Sequence, residues 1–318
     1  MIPSNPFFAP GQYFLRLNPV NRAIWWTILS GFLFCTMGAL AKYIGQGLPF
    51  WQVTFSRSFS SLLVLLPFIF YYGLPQVFTT DRLKMQIWRS VNGVFSMACI
   101  FYAVIHIPLA DQNAISFARP VFIVILAALF LKERVTAPRW IATLTGLAGV
   151  ALLLRPHTLG SGELHPAYWI AVLGTVLAAI SVTLVKELSD TENPLSIIAW
   201  FSLLTTLLLA PLGIYYWQPM TDAEWILFLS IGLVSVGAHW TMVQAYRLAP
   251  ASFLAPFGYL NILFTGAFGY FIFGDIPDHF TVLGACIIIG AAYYLFKADQ
   301  IAKQRAALVP LQIPGNQP

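Results

Sequence analysis

Long apolar runs recur along the whole chain, and short polar connections separate them. A helix needs about 20 such residues to cross the hydrocarbon core of a bilayer. Ten runs approach or reach that length, at approximately 23–43, 50–72, 87–106, 109–131, 138–155, 167–187, 194–217, 223–246, 250–273 and 279–297. The connections are too short to hold a separate soluble domain. The pattern therefore predicts an all-α integral membrane protein with ten transmembrane helices.

The composition agrees with this prediction. The chain has 318 residues, of which 58% are hydrophobic and 9% charged, and its mean hydropathy is +0.76. A soluble domain of this length carries roughly a quarter charged residues. Cys35, Cys99 and Cys286 fall in separate apolar runs and are odd in number. We therefore expect no disulfide framework, no metal site and no cofactor.

The cations predict an orientation in the membrane. They are spread over short loops, which argues against a nucleic-acid partner despite the net charge of +5. By the positive-inside rule, the side richer in Lys and Arg faces the cytoplasm. That side carries Arg16, Arg22, Arg82, Lys84, Arg89, Lys132, Arg134, Arg139, Lys186, Arg247, Lys297, Lys303 and Arg305. We expect both termini, residues 1–22 and 299–318, to be cytoplasmic, without a removable signal peptide.

The two halves of the chain resemble each other at an offset of about 142 to 145 residues. Matched pairs along this offset are Gly31 with Gly174, Lys42 with Lys186, Pro108 with Pro250, and Glu133 with Asp275. Because each half holds five spans, an odd number, the second half must enter the membrane inverted. We predict two inverted five-helix repeats, residues 23–155 and 167–298. Inverted repeats with a central ligand site are a recurring architecture of secondary transporters.

Several stretches resemble the drug/metabolite transporter superfamily with its EamA-type domains. They include FSRSFSSLLVLLPF, ISFARPVFIVILAALFLKERV and YRLAPASFLAPFGYLNILFTGAFGYFIFGDIPDHF. The resemblance covers essentially residues 23–298. Within the superfamily the chain is most similar to the S-adenosylmethionine transporters, through KYIGQGLPFWQVTFSR, LLPFIFYYG, RPHT and YFIFGDIPD. The resemblance implies a carrier of small metabolites, and riboflavin and amino-acid carriers share the same skeleton.

Polar and aromatic residues at helical spacing predict which faces border an internal cavity. The fourth span places Gln112, Ser116 and Arg119 on one face, with Phe117 beside them. Other spans supply further candidates for a wet cavity and for stacking on a flat or cationic ligand. These candidates are Asn92, Ser96, Tyr102, His239, Trp240, Tyr259 and Asn261.

Arg119 and Pro120 are the most unusual pair in the sequence. Arg119 lies about ten residues into the fourth span, near mid-bilayer at about 1.5 Å per residue. Facing lipid there would cost at least ~2.5–3.5 kcal/mol. We therefore predict that Arg119 faces a wet cavity and binds a carboxylate or phosphate, while Pro120 kinks the helix. A structural arginine satisfied by backbone carbonyls or by another helix is the alternative.

Arg57 and Gly38 are predicted to have structural or gating roles. Arg57 also lies within a span, but its partner in the second half is Ser202, so the repeat does not require the charge. The resemblance implies an arginine shared across the superfamily, and contact with the ligand remains an alternative. Gly38 belongs to a stripe of small residues in the first span that favours helix packing or sliding.

The acidic residues predict how transport is coupled. All twelve lie in loops or at span ends, whereas proton-coupled carriers often hold one in mid-span. We therefore favour exchange or facilitated movement, with coupling through His239 or Asp111 as the alternative.

The sequence as a whole predicts a transporter of a small polar or zwitterionic metabolite that works by alternating access. S-adenosylmethionine, exchanged for its demethylated product, is the leading substrate; amino acids, riboflavin and drugs are alternatives. An intramembrane enzyme is disfavoured because H-E-x-x-H, G-x-S-x-G and an intramembrane aspartate pair are all missing from the sequence. An accessory membrane protein is the third possibility. We expect a monomer or homodimer in a bacterial inner membrane.

Overall fold

The computed structural model describes residues 17–44, 47–107, 112, 115–154, 166–273 and 279–308. This part of the chain is helical and contains no strand. The α-helices are α1 (Pro19–Ile44), α2 (Phe50–Tyr72), α3 (Leu74–Phe78), α4 (Leu83–His106), α5 (Arg119–Leu129), α6 (Ala137–Leu154), α7 (Pro166–Ser189), α8 (Pro194–Tyr215), α9 (Asp222–Leu248), α10 (Ala251–Leu254), α11 (Asn261–Phe273) and α12 (His279–Leu308).

Every predicted span contains at least one of these helices. Seven of the described helical segments are long and apolar enough to cross a membrane. Large apolar side chains also remain exposed on the outside of the bundle, a surface that suits lipid and not water. Examples are Phe70, Leu129, Trp169, Ile226 and Phe271. The predicted all-α membrane fold is therefore confirmed.

Two of the predicted spans are interrupted near their middle. In the ninth, α10 passes into a 3-10 segment, Ala255–Leu260, before α11 begins. In the fourth, Phe117 and Ala118 form a turn, and α5 begins at Arg119. Pro120 thus lies in the first turn of α5, where its missing N–H breaks no helical bond. The predicted kink in a continuous helix is replaced by a break just before Arg119.

Helix packing follows the predicted repeat. The first helix of each repeat packs against the third spanning helix of the other: α1 against α9, and α7 against α4. The equivalent helices α2 and α8 pack together, as do α6 and α12. Such exchange of partners is the arrangement expected when two inverted halves are related by a pseudo-twofold axis.

The largest apolar core lies at the end of the bundle where α1 begins, which we call the terminal end. Small and branched side chains from both repeats meet there, including Ala23, Ala127, Leu188 and Leu254. Glu133 also joins the repeats at this end, because its carboxylate accepts the backbone N–H groups of Ala251 (2.8 Å) and Ser252 (3.0 Å). The terminal end is therefore closed by both packing and hydrogen bonds.

Arg89, which the sequence analysis counted among the cations of the cytoplasmic side, lies within a helix and not in a loop. It lies in α4 with 2% of its surface exposed. Its guanidinium lies 4.1 Å from the centre of the Phe201 ring, and Nη1 donates to the Ile197 carbonyl at 3.2 Å. A buried arginine held in this way is a packing element between α4 and α8, so Arg89 contributes nothing to the orientation argument.

Candidate functional site

A cavity of about 720 Å³ lies between the two repeats. Its volume is within the range of small-molecule sites, roughly 300–1,000 Å³. The walls come from α1, α5 and the residues before it, α9, and the interrupted span of α10 and α11. The lining is mostly apolar with a few polar side chains, the composition typical of a ligand site.

Arg119 carries the only charge among the described residues that line this cavity. Within the described part of the chain its side chain makes no hydrogen bond and no ion pair, and its buried Nε has no partner. Buried guanidinium groups are normally paired, because an unpaired buried charge is strongly destabilising. Arg119 therefore has donors that no described residue satisfies.

Gln112, Ser116 and Phe117 form the wall next to Arg119. Gln112 is buried, and its Nε2 donates to the Ser116 hydroxyl at 2.7 Å. This bond leaves the amide oxygen of Gln112 and the proton of the Ser116 hydroxyl able to contact a ligand. The face predicted from the sequence spacing does lie along the cavity.

Asn261 lies on another wall, at the first residue of α11. Its backbone carbonyl accepts bonds from Cys35 Sγ (3.4 Å) and Thr265 Oγ1 (3.0 Å), but its side-chain amide has no hydrogen-bond partner among the described residues. The amide lies against Gly31 of α1, where a Cβ would collide with Oδ1. Gly31 therefore makes room for this side chain.

The small residues of α1 border the cavity. Gly31, Cys35 and Gly38 all line it, and a Cβ added at Gly38 would meet nothing within 4 Å. The sequence analysis interpreted this stripe as a surface for helix packing or sliding. At Gly38 its effect in the structure is to leave open volume. Pro120 lines the cavity as well, beside the break before α5.

Asn92 and Ser96 do not line the cavity. Asn92 Nδ2 donates to the Leu177 carbonyl (2.6 Å) and the Ser181 hydroxyl (2.7 Å), and Ser96 Oγ donates to the Gly174 carbonyl (2.8 Å). These bonds hold α4 against α7. The polar stripe of the third span therefore serves helix association, a use of polar side chains that is common in membranes.

The four predicted aromatic and histidine contacts also lie outside the cavity lining. Tyr102 is 40% exposed and stacks on His106, and Trp240 is 38% exposed. His239 is buried, with Nδ1 2.8 Å from the Ser235 carbonyl and its ring between Phe34 and Phe201. Tyr259 is 1% exposed and packs against the backbone of α6 at Gly146.

Arg57 lies away from the cavity, beside a much smaller void. Its Nη2 is 3.8 Å from the sulfur of Met97, and the carbonyl of Arg57 accepts from Ser61 at 2.7 Å. The first contact joins α2 to α4, and the second lies within α2. They fit a structural or gating role better than contact with a ligand in the main cavity.

Tyr246 is a lining residue that the predicted set omitted. It lies one turn after Met242 on the same face of α9, and this helical spacing does predict that it faces the cavity. Its backbone carbonyl accepts a bond from Lys186 Nζ at 2.9 Å. Lys186 borders a second cavity, of about 480 Å³, at the terminal end. Tyr246 thus lies between the two cavities.

The described lining favours an anionic group on a partly apolar ligand. Arg119 can donate two parallel bonds to a carboxylate or phosphate. Phe34, Phe117 and Phe268 offer ring faces for stacking or for a cationic centre. No nucleophile–base pair or group of metal ligands occurs in the part of the cavity that the structure describes. The arrangement is suited to binding.

Comparison with known proteins identifies the family. The EamA-like transporter family matches residues 21–155 and 165–297. An S-adenosylmethionine uptake transporter of Rickettsia prowazekii (strain Madrid E) is 30% identical over 288 residues, covering 89% of this chain and 95% of that protein. The Pseudopaline exporter CntI of Pseudomonas aeruginosa (strain UCBPP-PA14) is 28% identical, covering 89% and 99%.

A solved structure shows the same fold. It is described only as the crystal structure of a protein, and it superimposes with a TM-score of 0.74 at 20% identity, covering 89% of this chain and 98% of that one. The family match spans both halves of the chain. The chain therefore belongs to the EamA-like transporter family of the drug/metabolite transporter superfamily, and it is a multi-pass membrane transporter of small molecules and not an enzyme.

Proposed function

We propose that this protein moves S-adenosylmethionine across a bacterial inner membrane by alternating access, in exchange for S-adenosylhomocysteine. The observation that carries the proposal is Arg119, a partly buried cation in the cavity between the two inverted repeats that has no partner among the described residues. The similarity to S-adenosylmethionine uptake transporters, at about 30% identity over most of the chain, supports this substrate.

The chemistry of S-adenosylmethionine matches the described lining. Its carboxylate suits Arg119, and its sulfonium centre and purine ring suit the faces of Phe34, Phe117 and Phe268. The carboxylate offsets the cost of burying the guanidinium, so ligand and protein each supply the other's missing partner. A neutral flavin such as riboflavin has no carboxylate to offer Arg119.

The packing supports alternating access. The apolar core and the Glu133 bonds close the terminal end, while the second cavity lies on the far side of that closure. With both termini in the cytoplasm, as the positive-inside rule predicts, the closed end is the cytoplasmic end. Movement of the predicted repeats, 23–155 and 167–298, then opens the cytoplasmic end while the other end closes.

Uptake into proteoliposomes tests the proposal. Vesicles loaded with S-adenosylhomocysteine are expected to accumulate labelled S-adenosylmethionine faster than unloaded vesicles. Arg119→Ala is expected to reduce uptake at least about tenfold, the loss of one charge-assisted contact. Arg134→Ala, which removes an exposed cation outside the cavity, is the matched control. If the wild-type protein transports riboflavin or an amino acid but does not transport S-adenosylmethionine, the proposed substrate is wrong.

A further inference from the structure

Arg119 and Asn261 occupy equivalent positions in the two repeats. The offset of 142 residues that relates Pro108 to Pro250 also relates Arg119 to Asn261. Arg119 is the first residue of α5, after the turn at Phe117 and Ala118, and Asn261 is the first residue of α11, after the 3-10 segment. Both interrupted spans therefore resume their α-helix at the same repeat position.

The two interruptions lie next to each other in the structure. A Cβ built on Gly258 would lie 3.8 Å from Cγ of Pro120, so the chain beside Arg119 touches the turn before Asn261. Both side chains line the main cavity. Neither the guanidinium of Arg119 nor the amide of Asn261 has a hydrogen-bond partner among the described residues. The repeat thus brings two unpaired polar groups to one chamber.

Gly31 leaves space that the Asn261 amide occupies. Oδ1 lies against the Gly31 backbone, in the space that a Cβ would fill, while Nδ2 lies farther from that position, at 3.7 Å. This contact leaves Nδ2, a donor of two hydrogens, for a ligand. Arg119 also offers only donors. The described lining residues thus include two sets of donors and no carboxylate. This combination selects for a ligand group that accepts hydrogen bonds and carries negative charge.

We propose that Arg119 and Asn261 bind one ligand carboxylate from both repeats, with Gly31 as the positioning residue that orients the Asn261 amide. The inference rests on the proposed function, because the carboxylate is that of S-adenosylmethionine. The ligand class recognised here is a metabolite with a free carboxylate. Since each repeat supplies one contact from an equivalent position, the carboxylate lies close to the pseudo-twofold axis that relates the two repeats.

Paired ligands test the inference by direct binding to the purified, full-length protein. The probes are S-adenosylmethionine and its decarboxylated analogue, which differ only in the carboxylate. Arg119→Gln and Asn261→Ala are each expected to weaken S-adenosylmethionine binding about tenfold, the value of a bond to a charged group. Asn261→Ala is expected to leave the affinity for the decarboxylated analogue within about twofold, and Arg119→Gln is expected to leave it unchanged or raise it, because the analogue is a dication that Arg119 repels. Equal weakening for both probes would overturn the inference.

Asn261→Asp separates recognition from folding, because it keeps the shape of the side chain. A carboxylate at this position repels the ligand carboxylate and attracts the dicationic decarboxylated analogue. We expect the preference between the two probes to shift toward the analogue by at least about tenfold. A shift in the opposite direction, or none, would contradict a carboxylate contact at Asn261.

Gly31→Ala tests the positioning role. It is expected to reproduce the loss seen for Asn261→Ala and to add nothing in the Asn261→Ala background, where the colliding amide is absent. Gly266→Ala on α11 is the matched control, because a Cβ there meets nothing within 4 Å. Additive losses would overturn the positioning role. Wild-type protein that binds no S-adenosylmethionine would instead refute the proposed function, together with this inference.

Discussion

At the scale of single residues, polar side chains within the spans have two different uses. Asn92 and Ser96 spend their donors on carbonyl groups of a neighbouring helix, whereas Arg119 has no partner in the described part of the chain. Both kinds look alike in a sequence, because both appear as polar positions at helical spacing. Arg119 could be recognised because a guanidinium is costlier to bury unpaired than an amide or a hydroxyl.

Substitution of Asn92 tests this distinction. Asn92→Ala removes the two bonds that Nδ2 makes to α7, so we expect a loss of roughly 1 kcal/mol in stability, the value of one or two hydrogen bonds between membrane helices. A thermal melt of the purified protein measures the loss. Affinity for S-adenosylmethionine is expected to stay within about twofold. A large loss of affinity with an unchanged melting temperature would place Asn92 at the ligand.

His239 allows a test of proton coupling. Its ring is enclosed by Phe34 and Phe201, and Nδ1 is already 2.8 Å from the Ser235 carbonyl. His239→Phe is therefore expected to preserve the dependence of uptake on pH between about 5.5 and 8, because the enclosed ring does not exchange protons with the cavity. Phe does not titrate, so the variant would remove any proton transfer through this position. Uptake measured across this range checks the expectation. A flattened profile would assign the coupling to His239.

At the scale of helices, close contacts limit what each glycine position accepts. A Cβ on Gly232 of α9 would lie 2.5 Å from the backbone carbon of Ser60 in α2, which cannot move without shifting the helix. We expect Gly232→Ala to destabilise the protein by about 1–3 kcal/mol, as overpacking does. Gly290→Ala on α12 is the control, since a Cβ there meets nothing within 4 Å. Thermal melts of the two variants test this expectation. Equal melting temperatures for Gly232→Ala and Gly290→Ala would contradict the tight contact between α2 and α9.

Glu133 makes the closure of the terminal end testable. Its carboxylate caps the first backbone N–H groups of α10 across the repeat boundary, so Glu133→Ala loses about 0.5–2 kcal/mol of capping. We expect a cysteine placed at the buried Ala249, in a protein lacking its native cysteines, to react about threefold or more faster with a water-soluble thiol reagent. Glu187→Ala, which breaks a half-exposed ion pair with Arg82, is the control. Equal rates would show that Glu133 does not hold the closure.

The interrupted spans show the limit of prediction from hydropathy. The pattern identifies an apolar run and its length, because lipid contact requires apolar side chains all along a span. It cannot locate a break, because an interrupted helix buried in the bundle is as apolar as a continuous one. Pro120, Pro256 and Gly258 were visible signals of irregular backbone. Whether such a residue kinks, breaks or merely starts a helix depends on its neighbours in space.

At the scale of the whole molecule, the architecture was more predictable than the site. The bilayer imposes span length, and an odd number of spans per repeat imposes inversion, so both follow from local patterns. The members of the cavity lining depend on which helix faces which. Tyr102 and Trp240 follow a plausible helical spacing and nevertheless lie exposed on the outside, while Tyr246, on the same helix as Trp240, lines the cavity.

Tyr246 lies between the two cavities and contacts the lining of both. Its ring borders the larger chamber, and its carbonyl oxygen is tethered by the ammonium of Lys186, which borders the smaller one. A ligand bulky enough to displace the Tyr246 side chain also strains the hydrogen bond between the Tyr246 carbonyl and Lys186. We therefore expect occupancy of the main cavity to weaken the closure of the terminal end, so that the transported ligand itself favours the opening through which it leaves.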